Sequence, residues 1–84
     1  MFIFRVHKRD ETTREDFASA LSCARECAES VLHDYGAIVT EENDLLTVNA
    51  EGLSEQECKV RIAGCFCDSA GSMYPEFQWI ELQQ

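Results

Sequence analysis

The sequence predicts a small α+β domain whose secondary-structure elements follow in the order β-α-β-β-α-β. Three observations support this fold class: short segments that alternate like strands, two segments with apolar residues at helical spacing, and turn or capping residues between them. No proline- or glycine-rich linker divides the 84 residues. We therefore expect one domain that spans residues 1–84.

The first elements are a strand at residues 2–7 and a helix at about residues 13–35. In the strand, apolar side chains hold the even positions, so one face is expected to be buried. In the helix, apolar residues recur at steps of three and four. Thr12 and Glu15 have the spacing of a capping box at its start. Gly36 follows the predicted helix and is expected to end it by adopting the left-handed conformation.

The middle of the chain is predicted to form a β-hairpin. Residues 37–42 and 45–50 flank Asn-Asp at 43–44, two residue types that tolerate positive φ. A two-residue turn pairs Val39 with Val48. In this register most apolar residues share one face and the threonines share the other, so the sheet should have one covered and one open face.

A second helix is predicted from residue 54 to about residue 70. Ser54 and Glu57 form a second capping box, and Gly71 is placed to end the helix. A last strand follows at residues 76–82.

The pattern of the last strand leaves its orientation open. Either Phe77 and Trp79 face the core, or Ile80 and Leu82 do. In the second case Trp79 would lie on the open face, where an exposed aromatic patch would be a partner or dimer surface. The remaining predicted core residues are Phe2, Phe4, Phe17, Leu21, Val31, Val39, Val48, Ile62 and Phe66.

The element order is that of the split βαβ, or ferredoxin-like, fold. Right-handed crossovers place both helices on one face of a four-stranded antiparallel sheet, with an expected strand order of 4-1-3-2. Many unrelated activities use this fold, so it does not by itself predict a function.

The charge distribution bears on function more directly. The chain has 7 basic and 16 acidic residues, a net charge of −9. Residues 1–14 carry a net +2 and residues 15–84 a net −11. This field repels nucleic acid and anionic membranes and attracts basic protein surfaces. The amino terminus lacks the apolar stretch of a signal peptide, so we expect a cytoplasmic protein.

The five cysteines are expected to be reduced thiols that bind no metal. Cys27, Cys58 and Cys65 are interpreted as small core residues, and the spacing of Cys23 to Cys27 and of Cys65 to Cys67 is not that of a zinc knuckle. No motif for a nucleophile, a metal centre or a bound nucleotide is present. We expect no catalytic residues, no cofactor and no enzymatic activity.

Acidic residues are the strongest candidates for a binding surface. Three acids crowd the hairpin turn and three others lie on helix 1, on the side predicted to face solvent. The alternative interpretation is an ordinary solubilising surface. The candidate partner-binding residues are Glu41, Glu42, Asp44, Glu15, Glu26 and Glu29.

In length, acidity, compact α/β architecture and absence of enzymatic motifs, the chain resembles the small anti-CRISPR proteins of bacteriophages. The resemblance covers the architecture of the whole chain and rests on no sequence motif, so no functional residue is carried over. It implies an inhibitor that occupies the basic nucleic-acid channel of a CRISPR effector by imitating nucleic-acid charge. The basic residues between Arg5 and Arg9 depart from a uniform mimic.

Two other functions remain as alternatives. One is a ferredoxin-like module that forms a homodimer, or binds a small ligand, through the open sheet face. The other is a thiol or metal-binding protein.

Overall fold

Four strands and two helices follow one another in the predicted order over residues 1–82, the part of the chain that the computed structural model describes. The strands are β1 (Phe2–Lys8), β2 (Ile38–Glu42), β3 (Leu45–Asn49) and β4 (Phe77–Leu82). The helices are α1 (Arg14–Val31) and α2 (Glu55–Ala63). Short 3₁₀ turns continue them at His33–Tyr35 and Gly64–Phe66.

The strands form one antiparallel sheet in the order β2-β3-β1-β4, which reads 4-1-3-2 from the β4 edge. The hairpin register is as predicted, since Val39 pairs with Val48 and Thr40 with Thr47. Asn43 in the turn has a φ of 56°. Both helices contribute buried side chains to one core against the same face of the sheet.

The predicted core is confirmed except at Val31 and, in part, at Phe2. Phe4, Phe17 and Leu21 are buried as expected, but Val31 is 47% exposed and Leu32 is fully buried in its place. The core face of α1 advances by four residues from Ala28 to Leu32, the C-cap that follows the last helical residue, Val31. The next inward position therefore falls one residue later than predicted. Phe2 is only partly buried.

The capping residues are partly as predicted. Ser54 and Glu57 form the capping box at the start of α2. The box at Thr12 is wrong, because the cap of α1 is Thr13, whose hydroxyl accepts from the Asp16 N–H at 3.1 Å. Gly36 has the left-handed conformation expected of it, with a φ of 62°, although it follows a 3₁₀ turn and not α1 itself.

The second helix is shorter than predicted and ends at Ala63, not near residue 70. After the 3₁₀ turn the chain becomes extended at Cys67, which bridges to Met73. The Asp68 carboxylate accepts N–H groups from Ala70 and Ser72 and holds the connecting loop. This local hydrogen bonding competes with continuation of the helix.

A β-bulge in β4 settles the orientation of the last strand. Val6 pairs with Ile80, but Lys8 pairs with Phe77, so β4 contains one extra residue. The extra residue lets Phe77 and Ile80 both face the helices, while Trp79 faces the open side. Neither predicted alternative was right alone. The side chain of Leu82 lies outside the described residues.

Helix α1 covers one edge of the sheet with a pair of charged side chains. At the outer edge of β2, the Glu29 carboxylate accepts the Val39 N–H at 3.0 Å, and Arg25 donates to the Val39 carbonyl at 3.3 Å. The guanidinium Nη1 of Arg25 and the carboxylate Oε1 of Glu29 are 3.8 Å apart. An unpaired strand edge is a template for pairing with another chain, so this clamp protects β2.

Glu29→Ala should lower the free energy of unfolding by about 1 kcal/mol, because a charge-assisted hydrogen bond to a half-exposed edge is lost. Glu29→Gln keeps an acceptor oxygen and should cost less. Glu26→Ala is the matched control, since Glu26 also lies near Arg25 but does not contact β2. Urea denaturation measures all three, and an equal loss in E26A and E29A would contradict the clamp.

Candidate protein-binding surfaces

The three acids of the hairpin turn do not form one surface. Glu41 pairs with Leu46 and lies on the helix side of the sheet, whereas Glu42 pairs with Leu45 and lies on the open side. The Asp44 carboxylate binds Arg14 at 2.7 Å, and its backbone carbonyl accepts from Val6. The three hairpin acids therefore face different sides of the sheet, and Arg14 partly offsets the charge of Asp44.

The three acids of α1 also differ in their surroundings. Glu15 and Glu26 are exposed, and Glu26 lies 3.6 Å from Arg25. Glu29 stays 44% exposed, as expected of the outer side of α1, but its carboxylate is also engaged with β2. Its role was missed because a helix pattern does not show which strand lies beside it.

Acidic side chains are exposed more often than basic ones. Twelve of the 16 acidic residues are exposed, and five of the seven basic residues are partly buried. No charged residue is fully buried among residues 1–82, so all of these charges contribute to the field at the surface. The surface that a partner meets is therefore acidic.

The basic residues of the amino-terminal segment are held by the backbone of the protein itself. The Lys8 ammonium group donates to the carbonyls of Arg9 and Thr12, both at 2.8 Å. The Arg9 guanidinium donates to the Phe77 carbonyl at 2.6 Å. These two cations fasten the loop after β1 and keep their positive charges there.

Acids converge instead where α1 begins. Glu11, Asp16 and Glu76 line an open depression together with Thr12, Pro75 and Arg9. We call this region the entry surface. Asp10 and Glu15 are exposed close by in the sequence. Glu76 joins this surface because the segment that leads into β4 returns beside the start of α1.

The face of the sheet opposite the helices is the second candidate, here called the open face. By the strand registers it carries Ile3, Arg5, His7, Ile38, Thr40, Glu42, Leu45, Thr47, Asn49, Trp79 and Glu81. The Trp79 ring stacks on His7 with 4.1 Å between centroids and stays 45% exposed. The His7 Nε2 lies 3.2 Å from a Glu81 carboxylate oxygen.

The cysteines form a third feature, a groove beside α1. Cys23, Cys27 and Cys65 line it with Tyr74 and small residues. Cys58 and Cys65 are buried as expected, but the prediction for Cys27 is wrong, because it is exposed. Burial first, and then the hydrogen bond and charge of Cys27, raise the pKa of Cys65 to about 12, which makes it a poor nucleophile.

Within residues 1–82, no three His, Cys, Asp or Glu side chains are arranged so that they could hold a metal ion. The same part of the chain has no helix with the length and apolar composition needed to cross a membrane. No protein-family model, curated protein or solved structure matches this chain.

Proposed function

We propose that this protein acts without catalysis, by binding its acidic surface to the basic nucleic-acid-binding surface of another protein. The observation that carries the proposal is the charge of the exposed surface: within residues 1–82, twelve acidic residues are exposed but only two basic ones, Arg14 and Arg61. A basic channel that normally holds phosphates attracts such a surface. The best candidate partner is a CRISPR effector, which makes the protein an anti-CRISPR inhibitor.

We further propose that the fold is ferredoxin-like. The order of elements and the position of β1 and β3 in the centre of the sheet support this assignment. The fold gives the protein a rigid platform with acids on its helix side and a less charged open face.

The entry surface is the proposed contact. Glu11 and Asp16 share one depression there, while the hairpin acids point to different sides. Lys8 and Arg9 donate to backbone carbonyls, which fixes their positions and leaves their positive charges in place, so this contact depends on the excess of acidic residues around them.

A matched pair of charge reversals tests the proposal on a purified CRISPR effector loaded with guide RNA. Glu11→Lys with Asp16→Lys should weaken binding by at least about tenfold, because it places four units of positive change at the contact. Glu41→Lys with Glu42→Lys makes the same change of net charge at the hairpin and should weaken binding less. Surface plasmon resonance measures both, and circular dichroism confirms that each variant is folded.

Raising the salt concentration should slow association of the wild-type protein with the effector, because surface charges are screened. Equal weakening by the two double variants would show that net charge matters and the entry surface does not. Absence of binding to effectors of every type offered would overturn the proposed function itself.

A further inference from the structure

Two of the five thiols meet in the groove beside α1. Cys27 lies on α1, and Cys65 lies on the 3₁₀ turn that follows α2. Both side chains line the groove, and the two thiols are hydrogen-bonded to one another. Because the two residues are far apart in the sequence, a covalent bond between their sulfurs would join α1 to the segment after α2.

The other cysteines are less well placed to form such a bond. Cys23 and Cys27 are one turn apart on α1, where Cβ atoms are about 5–6 Å apart, whereas a disulfide needs about 3.5–4.5 Å. The Cys67 thiol donates to the sulfur of Met73 at 3.5 Å. Cys58 is fully buried, so a reagent in solution does not reach it. The pair in the groove is therefore the best candidate for a disulfide.

Exposure gives the two thiols different parts in an exchange reaction. Cys27 is exposed, so a small molecule in solution can reach it. Cys65 is only 7% exposed, and burial, followed by its contact with Cys27, raises its pKa to about 12. It is a weak nucleophile toward molecules in solution. Once the neighbouring sulfur has been activated, however, its attack is intramolecular and gains from proximity.

We propose that Cys27 and Cys65 form a site of reversible oxidation by small disulfides of the glutathione disulfide class. In the first step the Cys27 thiolate attacks one sulfur of the small disulfide, which gives a mixed disulfide and releases one thiolate. In the second step the Cys65 thiolate attacks the Cys27 sulfur, which forms the Cys27–Cys65 bond and releases the second thiolate. The two released thiolates take up the protons that the two cysteines have lost, so one disulfide is exchanged for another.

The turn that carries Cys65 has room for the small movement that the bond requires. Two hydrogen-bonded sulfurs must approach further to reach the S–S length of about 2.05 Å. The turn is closed by a hydrogen bond of 3.5 Å from the Cys67 N–H to the Gly64 carbonyl, which is long for such a bond. Among the described residues, no group from another segment lies within 4 Å of the position that a Cβ on Gly64 would take.

The disulfide should stabilise the fold, because it closes a long loop in the unfolded chain. The bridged protein should melt at least about 8 °C above the reduced protein. In a reducing compartment the bond is expected to be transient and to form when small disulfides accumulate. The site goes beyond the proposed function and does not depend on it.

Reaction of the reduced full chain with glutathione disulfide tests the proposal. The chain carries Cys23→Ala, which removes the other exposed thiol. Intact-mass spectrometry should show a transient adduct of one glutathione on this parent protein, followed by a species that is lighter than the reduced protein by two hydrogens. Dithiothreitol should restore the reduced mass, and thermal denaturation followed by circular dichroism measures the shift in melting temperature.

Three further variants in the same background identify the sulfurs. Cys65→Ala should stop at the glutathione adduct, and Cys27→Ala should form neither the adduct nor the bridge. Cys67→Ala is the matched control, since Cys67 lies two residues from Cys65 but is engaged with Met73, and it should form the bridge at nearly the parental rate. Circular dichroism confirms that each variant is folded.

Three results would overturn the site. They are an adduct that persists in the parent protein without conversion to the bridge, equal bridge formation in C65A and the parent, and a bridged protein that melts no higher than the reduced one. Each of these results leaves the effector proposal standing, because the entry surface lies at the start of α1 and contains no cysteine.

Discussion

Phe77→Ala should lower the free energy of unfolding by about 3–5 kcal/mol, the cost of removing a large buried aromatic side chain. Phe77 is 2% exposed and packs edge-on against Phe66 at 4.9 Å and Phe17 at 6.0 Å between centroids. Domains of this size have total stabilities of only about 5–15 kcal/mol, so the variant should be close to unfolding at physiological temperature. Thermal and urea denaturation followed by circular dichroism measure the loss.

Trp79→Ala is the control from the same strand, two residues away. It should cost only about 1 kcal/mol, since the ring is half-exposed and loses one stacking contact with His7. If W79A were the more damaging of the two, the bulge between Val6 and Lys8 would be misplaced and the strand would face the other way.

The buried thiol of Cys65 should make the protein sensitive to alkali. Burial, assisted by Cys27, raises its pKa from the ordinary 9.0 to about 12 in the folded state. A raised folded pKa means that the stabilising contribution is complete below about pH 9 and is lost as the pH rises toward 12. In this window the free energy of unfolding should fall by an additional ~1.4 kcal/mol per pH unit.

In Cys65→Ala, the free energy of unfolding should fall less steeply with pH, because one proton fewer is released on unfolding. The variant should nevertheless be less stable than the wild type at neutral pH. Cys23→Ala removes an exposed thiol from the same groove and should leave the slope unchanged. Urea denaturation at a series of pH values gives both slopes. Burial also raises the pKa of the Cys58 thiol, so part of the alkaline decline should remain in every variant. Identical slopes in C65A and the wild type would contradict the assigned environment of Cys65.

The sequence alone determined the features that depend on near neighbours in the chain. Alternation in β1 predicted its buried face, and the two residues between β2 and β3 predicted the hairpin register through Val39 and Val48. Ser54 and Gly36 predicted local caps. Each of these features follows from steric or hydrogen-bonding preferences within a few residues, so the signal is present in any short window of sequence.

The tertiary structure decided the features that depend on residues far apart in sequence. Alternation could not orient β4, because the bulge that turns Phe77 inward and Trp79 outward is set by pairing with β1. The surroundings of the acidic residues could not be predicted for a similar reason. Asp44 forms an ion pair with Arg14, and Glu29 hydrogen-bonds to the edge of β2. Charge counts in a sequence are additive, but which charges remain exposed is decided by which distant groups the fold brings within hydrogen-bonding distance.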